Sequence, residues 1–326
     1  MAANPEVVAP RRVPTAGFDL RLWAAATAAI LAAFLWATYY SFVLGAPGTP
    51  PSGLLVDPFL AGAAGFLVLA GVRREIRSVG PLFRDPRSWA RASLLVAMQV
   101  SVLASTYLTG AVDTSLLSLV GDVVLTPIAL VLLYGEGRER FRTPLFGLGL
   151  VTATAGATLV IVAGASVEAL SGWAWVAAPI VPVAVALYFL YTARANRETP
   201  MTALVGQGTL LAGVLGILVS PALPGGLGGL WPASWGSAGV VIAIGLTSFF
   251  LGPYLYFRAI ESVGIVLPAV LMTAIPVFTL ALNVALFHEA PPWLGLAGIP
   301  IAVIGSLVAL RGPHSGWGSP EASGAG

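Results

Sequence analysis

The sequence predicts an all-α polytopic membrane protein, with ten transmembrane helices arranged as two inverted five-helix repeats. Three observations lead there: apolar segments of membrane length, the placement of the arginines, and markers that recur between the two halves. Hydrophobic residues make up 57% of the 326 positions and charged residues only 9%, more apolar surface than a soluble chain could hide. Ten apolar segments run over 22–44, 53–72, 90–109, 114–135, 144–165, 172–193, 201–220, 237–257, 265–287 and 292–310. Each is near the ~20 residues an α-helix needs to cross ~30 Å of hydrocarbon. They are numbered here as spans 1 to 10.

The 16 cationic residues are all arginines, and they fall in alternate gaps. Arg11, Arg12 and Arg21 precede span 1, and Arg73, Arg74, Arg77, Arg84, Arg87 and Arg91 lie at or near the connection of spans 2 and 3. Arg138, Arg140 and Arg142 separate spans 4 and 5, Arg194 and Arg197 separate spans 6 and 7, Arg258 separates spans 8 and 9, and Arg311 follows span 10. Cytoplasmic loops collect arginine, so both termini are expected in the cytoplasm and the chain in the plasma (inner) membrane. The same scatter excludes nucleic acid as a partner, because a phosphate-tracking patch would be concentrated on one element.

Residues 1–19 and 312–326 are rich in Pro, Gly, Ala and Ser and are expected to be disordered cytoplasmic tails. Span 1 is too long for a signal-peptide core and is expected to be retained. It carries Trp36, Tyr39 and Tyr40, which span 6 echoes with Tyr188 and Phe189. Span 4 ends in Leu133-Tyr134-Gly135-Glu136, and span 9 ends in Leu286-Phe287-His288-Glu289. Spans 5 and 10 follow, with Gly149 and Gly156 in one and Gly298 and Gly305 in the other, each pair two turns apart. Such stripes of small residues suit close helix packing in lipid. Two kinds of marker in one order divide the chain into repeats over 20–165 and 166–311. Five helices is an odd number, so the second repeat must enter the membrane from the other side, with a passage between the halves.

These residues also carry a family resemblance. The run Gly245-Leu-Thr-Ser-Phe-Phe-Leu-Gly-Pro-Tyr-Leu-Tyr-Phe-Arg-Ala-Ile260, with Pro276-Val277-Phe278 and the Glu289 ending, resembles the second EamA domain of the drug/metabolite transporter (DMT) superfamily. The first half resembles the same domain through Trp36, Glu136 and span 5. The resemblance implies a permease that exports amino acids, metabolites or amphipathic compounds. Two departures stand out. An arginine found early in span 2 of many members is replaced by small and apolar residues, and the proline thirteen residues before Glu136 is Val123.

Asp122 is the most informative candidate. It sits ~12 Å into span 4, where an ionised carboxylate costs ~2.5 kcal/mol or more and so calls for a cavity, a proton or a partner. No arginine is read inside any span to neutralise it. Its two readings are a proton- or amine-binding carboxylate, and a carboxyl bonded to Ser118 and Thr126. Gln99 in span 3 and Asn283 in span 9 are buried amides that need partners, either a substrate or a neighbouring helix. The helices that the resemblance places around a cavity bring Trp36, Tyr39, Tyr107, Tyr188 and Tyr254, whose rings suit amphipathic or cationic solutes. Pro127 and Pro276 remove backbone hydrogen bonds and can bend spans 4 and 9 as gates.

No catalytic residues, metal or cofactor are expected. Cysteine is absent, the two histidines are His288 and His314, and without lysine no phosphate-binding loop is possible. The function expected is a secondary transporter working by alternating access, with a small-molecule substrate, the lipid bilayer and protons as partners. The oligomeric state is not legible. Alternatives are a membrane scaffold and an enzyme acting on lipid-linked substrates.

Overall fold

The computed structural model describes residues 20–45, 48–109, 143–164, 172–195, 199–288 and 293–310, with isolated positions between 114 and 132. The described residues are helical, with no strand among them. The elements are α1 (Leu20–Gly45), α2 (Pro51–Val72), α3 (Ile76–Leu82), α4 (Pro86–Thr109), α5 (Pro144–Gly164), α6 (Gly172–Ala195) and α7 (Met201–Val219). Then come α8 (Trp235–Ile244), α9 (Gly252–Val263), α10 (Val266–Leu271), α11 (Ala274–Phe287) and α12 (Trp293–Leu310). Helices dominate because hydrocarbon offers the backbone no hydrogen-bond partner outside its own helix. Among the described residues, five stretches are long and apolar enough to cross a membrane: Leu20–Val43, Pro51–Val72, Met201–Ala222, Trp235–Val263 and Leu267–Phe287. The protein is therefore a multi-pass membrane protein.

Two of these stretches are not regular. Between α8 and α9 the chain winds as a π-helix over Gly245–Leu251, so the Gly252 N–H bonds the Thr247 carbonyl five residues back. Pro253 follows and has no N–H to offer. The Ser248 carbonyl is thereby left without a partner along its own helix. Between α10 and α11 the backbone tightens, with Thr273 bonding Val270 and Ile275 bonding Met272, each three residues back. The Pro276 ring would clash with the carbonyl four residues before it, that of Met272, and the helix breaks there. Pro276 itself is buried in the first turn of α11, where its missing N–H costs nothing.

Helices α1, α2, α4, α6, α7 and the π-to-α11 region share one core. Ala25, Ala29, Ala32, Ala33 and Ala37 make a fully buried stripe on α1, which packs on α9 and α11. Helix α2 lies against α7, and α4 against α6. Glycines receive aromatic rings at these crossings. A Cβ on Gly206 would stand 2.6 Å from the Phe66 Cβ, and one on Gly62 would stand 2.7 Å from that of Phe249.

Helices α5 and α12 pack chiefly on each other. A Cβ on Gly156 would lie 2.3 Å from the Ala302 nitrogen, and one on Gly305 would lie 2.2 Å from the Ala153 nitrogen. Two of the four stripe glycines are therefore points of direct backbone contact.

The structure corrects two readings of the helices. Helix α4 starts at Pro86, four residues earlier than span 3, because Asp85 caps it through the Arg87 N–H at 3.0 Å and Pro86 takes the first position. Arg91 thus lies in the second turn of a helix and not at its edge, and it is 4% exposed. Early in α2 the chain is not wholly small and apolar, since it carries Asp57. Asp122, Pro127, Glu136 and Glu289 lie outside the described residues.

Candidate functional site

Where α1, α4, α6, the π segment and α11 converge, they enclose a cavity of about 70 Å³. That is several times the ~10–15 Å³ one water needs, so it is more than a packing defect. Trp36, Tyr39 and Tyr40 line it from α1, Met98 and Gln99 from α4, and Tyr188 and Phe189 from α6. Ser248, Phe249 and Pro253 close another side, with Thr209 of α7, Ile275 of α11 and Ser118 completing the wall.

The rings pack on one another at steep angles. Trp36 stands 5.5 Å from Phe189 and 5.2 Å from Tyr256, while Tyr39 meets Phe249 at 5.5 Å in a T-shaped contact. Such contacts add roughly 0.5–1.5 kcal/mol each beyond burial and fix ring planes around the void. Polar groups are few and already engaged. Gln99, 3% exposed, donates its side-chain amide to the Tyr39 hydroxyl. The Tyr40 hydroxyl donates to Ser118 Oγ at 2.8 Å, and Ser118 Oγ donates to the Thr114 carbonyl at 3.1 Å.

Trp36 has a second task. Its indole Nε1 donates to the Ser248 carbonyl at 2.8 Å, the acceptor that the π turn and Pro253 leave open. Ser248 Oγ in return donates to the Leu35 carbonyl at 2.8 Å. Two adjacent residues of α1 are thus tied to one residue of the irregular helix. Sequence reasoning missed Ser248. Its signal was Pro253, five residues on, which denies an N–H to a carbonyl in π register.

Of the predicted site residues, Trp36, Tyr39, Gln99 and Tyr188 come together in the cavity wall. Three are placed elsewhere. Tyr107 is 47% exposed near the end of α4, outside the lining, because its face of the helix turns from the core. Tyr254 leaves the cavity for Arg73 at the end of α2, whose Nη2 donates to the Tyr254 hydroxyl at 2.7 Å and whose guanidinium stands 5.4 Å from the ring centre. Asn283 is buried in α11 at 3% exposure, two turns beyond the cavity-lining Ile275 and not in the wall. Among the described residues no group of histidine or acidic side chains could hold a metal.

Comparison with known proteins completes the picture. Residues 172–311 match the EamA-like transporter family. A crystal structure of another protein shares the fold, with a TM-score of 0.71 at 21% identity, covering 88% of this chain and 97% of that one. No curated protein matches. The fold is that of a multi-pass membrane protein with a cavity at its centre. The second half of the chain is therefore similar to the EamA-like transporter family.

Proposed function

We propose that the protein is a secondary transporter that exports small organic solutes through ten helices in two inverted repeats, working by alternating access with protons as the coupling ion. The observation that carries this reading is the aromatic cavity inside the helical core, flanked by two irregular helices. Discontinuous helices at a central site are how transporters let backbone groups face a passage without stranding them in lipid. The π segment and the break before Pro276 both border the cavity, and the match of residues 172–311 to the EamA-like transporter family supports the same reading.

In this mechanism Trp36, Tyr39, Tyr188 and Phe189 bind the apolar body of the solute, and Gln99 orients its polar group. Asp122 carries the proton or reads an amine, and Pro127 and Pro276 permit the bends that open either side. The test is uptake into proteoliposomes of labelled amino acids, amines and amphipathic dyes, with and without a pH gradient. Asp122→Asn is expected to abolish or uncouple transport while the protein melts as before, and full transport with unchanged pH dependence removes Asp122 from the mechanism. The native chain has no cysteine, so single cysteines placed in 1–19 and 312–326 report topology directly. Labelling of the two from opposite sides of the membrane would sink the ten-span arrangement.

A further inference from the structure

Arg91 is 4% exposed in the second turn of α4. Its guanidinium has five N–H donors, and its hydrogen bond among the described residues is one, from Nη2 to Ser88 Oγ at 2.6 Å. No carboxylate among the described residues forms an ion pair with it. The negative charge acting on it is that of Asp85, six residues earlier, whose Oδ2 also lies 3.5 Å from Ser88 Oγ. A cation this buried normally sits against an anion, because desolvation is not repaid otherwise.

Its location relates it to the cavity. Leu95 lies one turn further along α4 and Gln99 two turns, ~6 Å and ~12 Å along the axis, and both line the void. Helix α4 packs against α6, which carries Tyr188 in the wall of the same void. The stretch from the end of α2 to the start of α4 holds Arg73, Arg74, Arg77, Arg84 and Arg87, all exposed, against Glu75 and Asp85, a net positive stretch that favours anions at this end of the bundle.

We infer that Arg91 is the recognition group for the oxyanion of an organic-anion substrate, whose apolar body then enters the aromatic cavity above. The inference rests on the transport reading and narrows it, since aromatic walls alone suit cations and neutral solutes equally well. Arginine fits because its planar fork takes two oxygens of a carboxylate or phosphate at once, which a lysine cannot do.

The test uses the full chain in detergent and four probes built on one body: 3-phenylpropanoate, 2-phenylethyl phosphate, 3-phenylpropanamide and 3-phenylpropylamine. Binding is followed by tryptophan fluorescence and by thermal shift. Wild type is expected to bind at least one anion tenfold or more tighter than the amide. Arg91→Gln loses that preference and keeps its affinity for the amide, and Arg91→Lys keeps part of it. Whichever anion shows the preference separates carboxylate from phosphate recognition. Equal binding of anions and amide by wild type, or a preference that survives in Arg91→Gln, overturns this inference and leaves the transport reading standing. Binding of none of the four overturns both. Should Arg91→Gln fail to fold, the wild-type ratio and Arg91→Lys decide, with an undiminished preference in Arg91→Lys counting against bidentate recognition.

Discussion

Where α5 meets α12, Gly156 and Gly305 let two backbones touch; where α1 meets the π segment and α6, Trp36, Phe189 and Phe249 hold the backbones apart around a void. Both contacts are made in an apolar setting, yet they use opposite ends of the side-chain size range. Lipid tails are as apolar as leucine, so burial alone does not drive two membrane helices together. The glycine contact gains dispersion along its whole length and tolerates no insertion. The aromatic contact keeps space open and fixes its walls with ring geometry and a few cross-helix hydrogen bonds. One region is built to stay, and the other to admit a guest.

That contrast can be broken most forcefully at Gly156. A leucine there would place its Cβ 2.3 Å from the Ala302 nitrogen, a backbone atom that cannot swing aside. Gly156→Leu is expected to lower stability by about 2–3 kcal/mol or to prevent folding, read as the melting temperature of the solubilised protein. Transport per folded molecule should be preserved, and a variant that melts normally but no longer transports would show that the pair belongs to the moving machinery.

Trp36→Phe comes next. It keeps a ring in the wall but strands the Ser248 carbonyl, and it should cost about 1–2 kcal/mol in thermal unfolding, with transport falling in parallel. A variant equal to wild type in both assays would reduce the Trp36–Ser248 link to a passive contact.

The Gln99–Tyr39 pair tests the polar side of the cavity. Gln99→Leu, Tyr39→Phe and the double variant form a cycle whose coupling is expected at about 1 kcal/mol in stability, since removing one partner leaves the other buried and unmet. Additive effects would mean the two groups act separately.

The smallest effect sharpens the comparison from the other side. A Cβ on Gly147 meets nothing within 4 Å, although it lies on the same helix as Gly156. Gly147→Ala should raise stability by about 0.5 kcal/mol, through backbone entropy alone. Destabilisation there would mean that α5 needs its glycines for something besides contact with α12.

Much of the architecture was legible before any coordinates. Repeated membrane crossing could be read because a run of apolar residues has one physical meaning at ~20 residues, and five of the ten spans coincide with stretches that meet that length among the described residues. Gly156 and Gly305 could be read because two turns of spacing on each helix leave few uses for a small residue except contact. The start of α4 was misplaced because hydropathy alone was followed past Asp85-Pro86, a cap and first-turn pair that marks the true beginning. That slip set Arg91 at the edge of span 3 and not in the second turn of a helix. Asp57 was passed over inside an otherwise apolar stretch for the same reason.

The cavity was legible only in part. Trp36, Tyr39, Gln99 and Tyr188 line it, while Tyr107 is exposed and Tyr254 stacks with Arg73. A tyrosine in a membrane helix has three settings open to it: the interfacial belt, a contact with a cation, and a cavity wall. All three want the same residue type, so composition cannot choose among them.

By itself, then, the sequence determined that the chain is helical, that it crosses a membrane repeatedly, and where two helices meet through glycine. Tertiary structure decided which face of each helix looks inward, that the Ser248 carbonyl takes an indole as its partner, and that Arg91 lies buried one turn before the cavity-lining Leu95. The reason is the solvent. Water stamps a polar face and an apolar face onto a soluble helix, but lipid accepts every apolar face equally. Inside and outside are then settled only by the neighbour each helix meets.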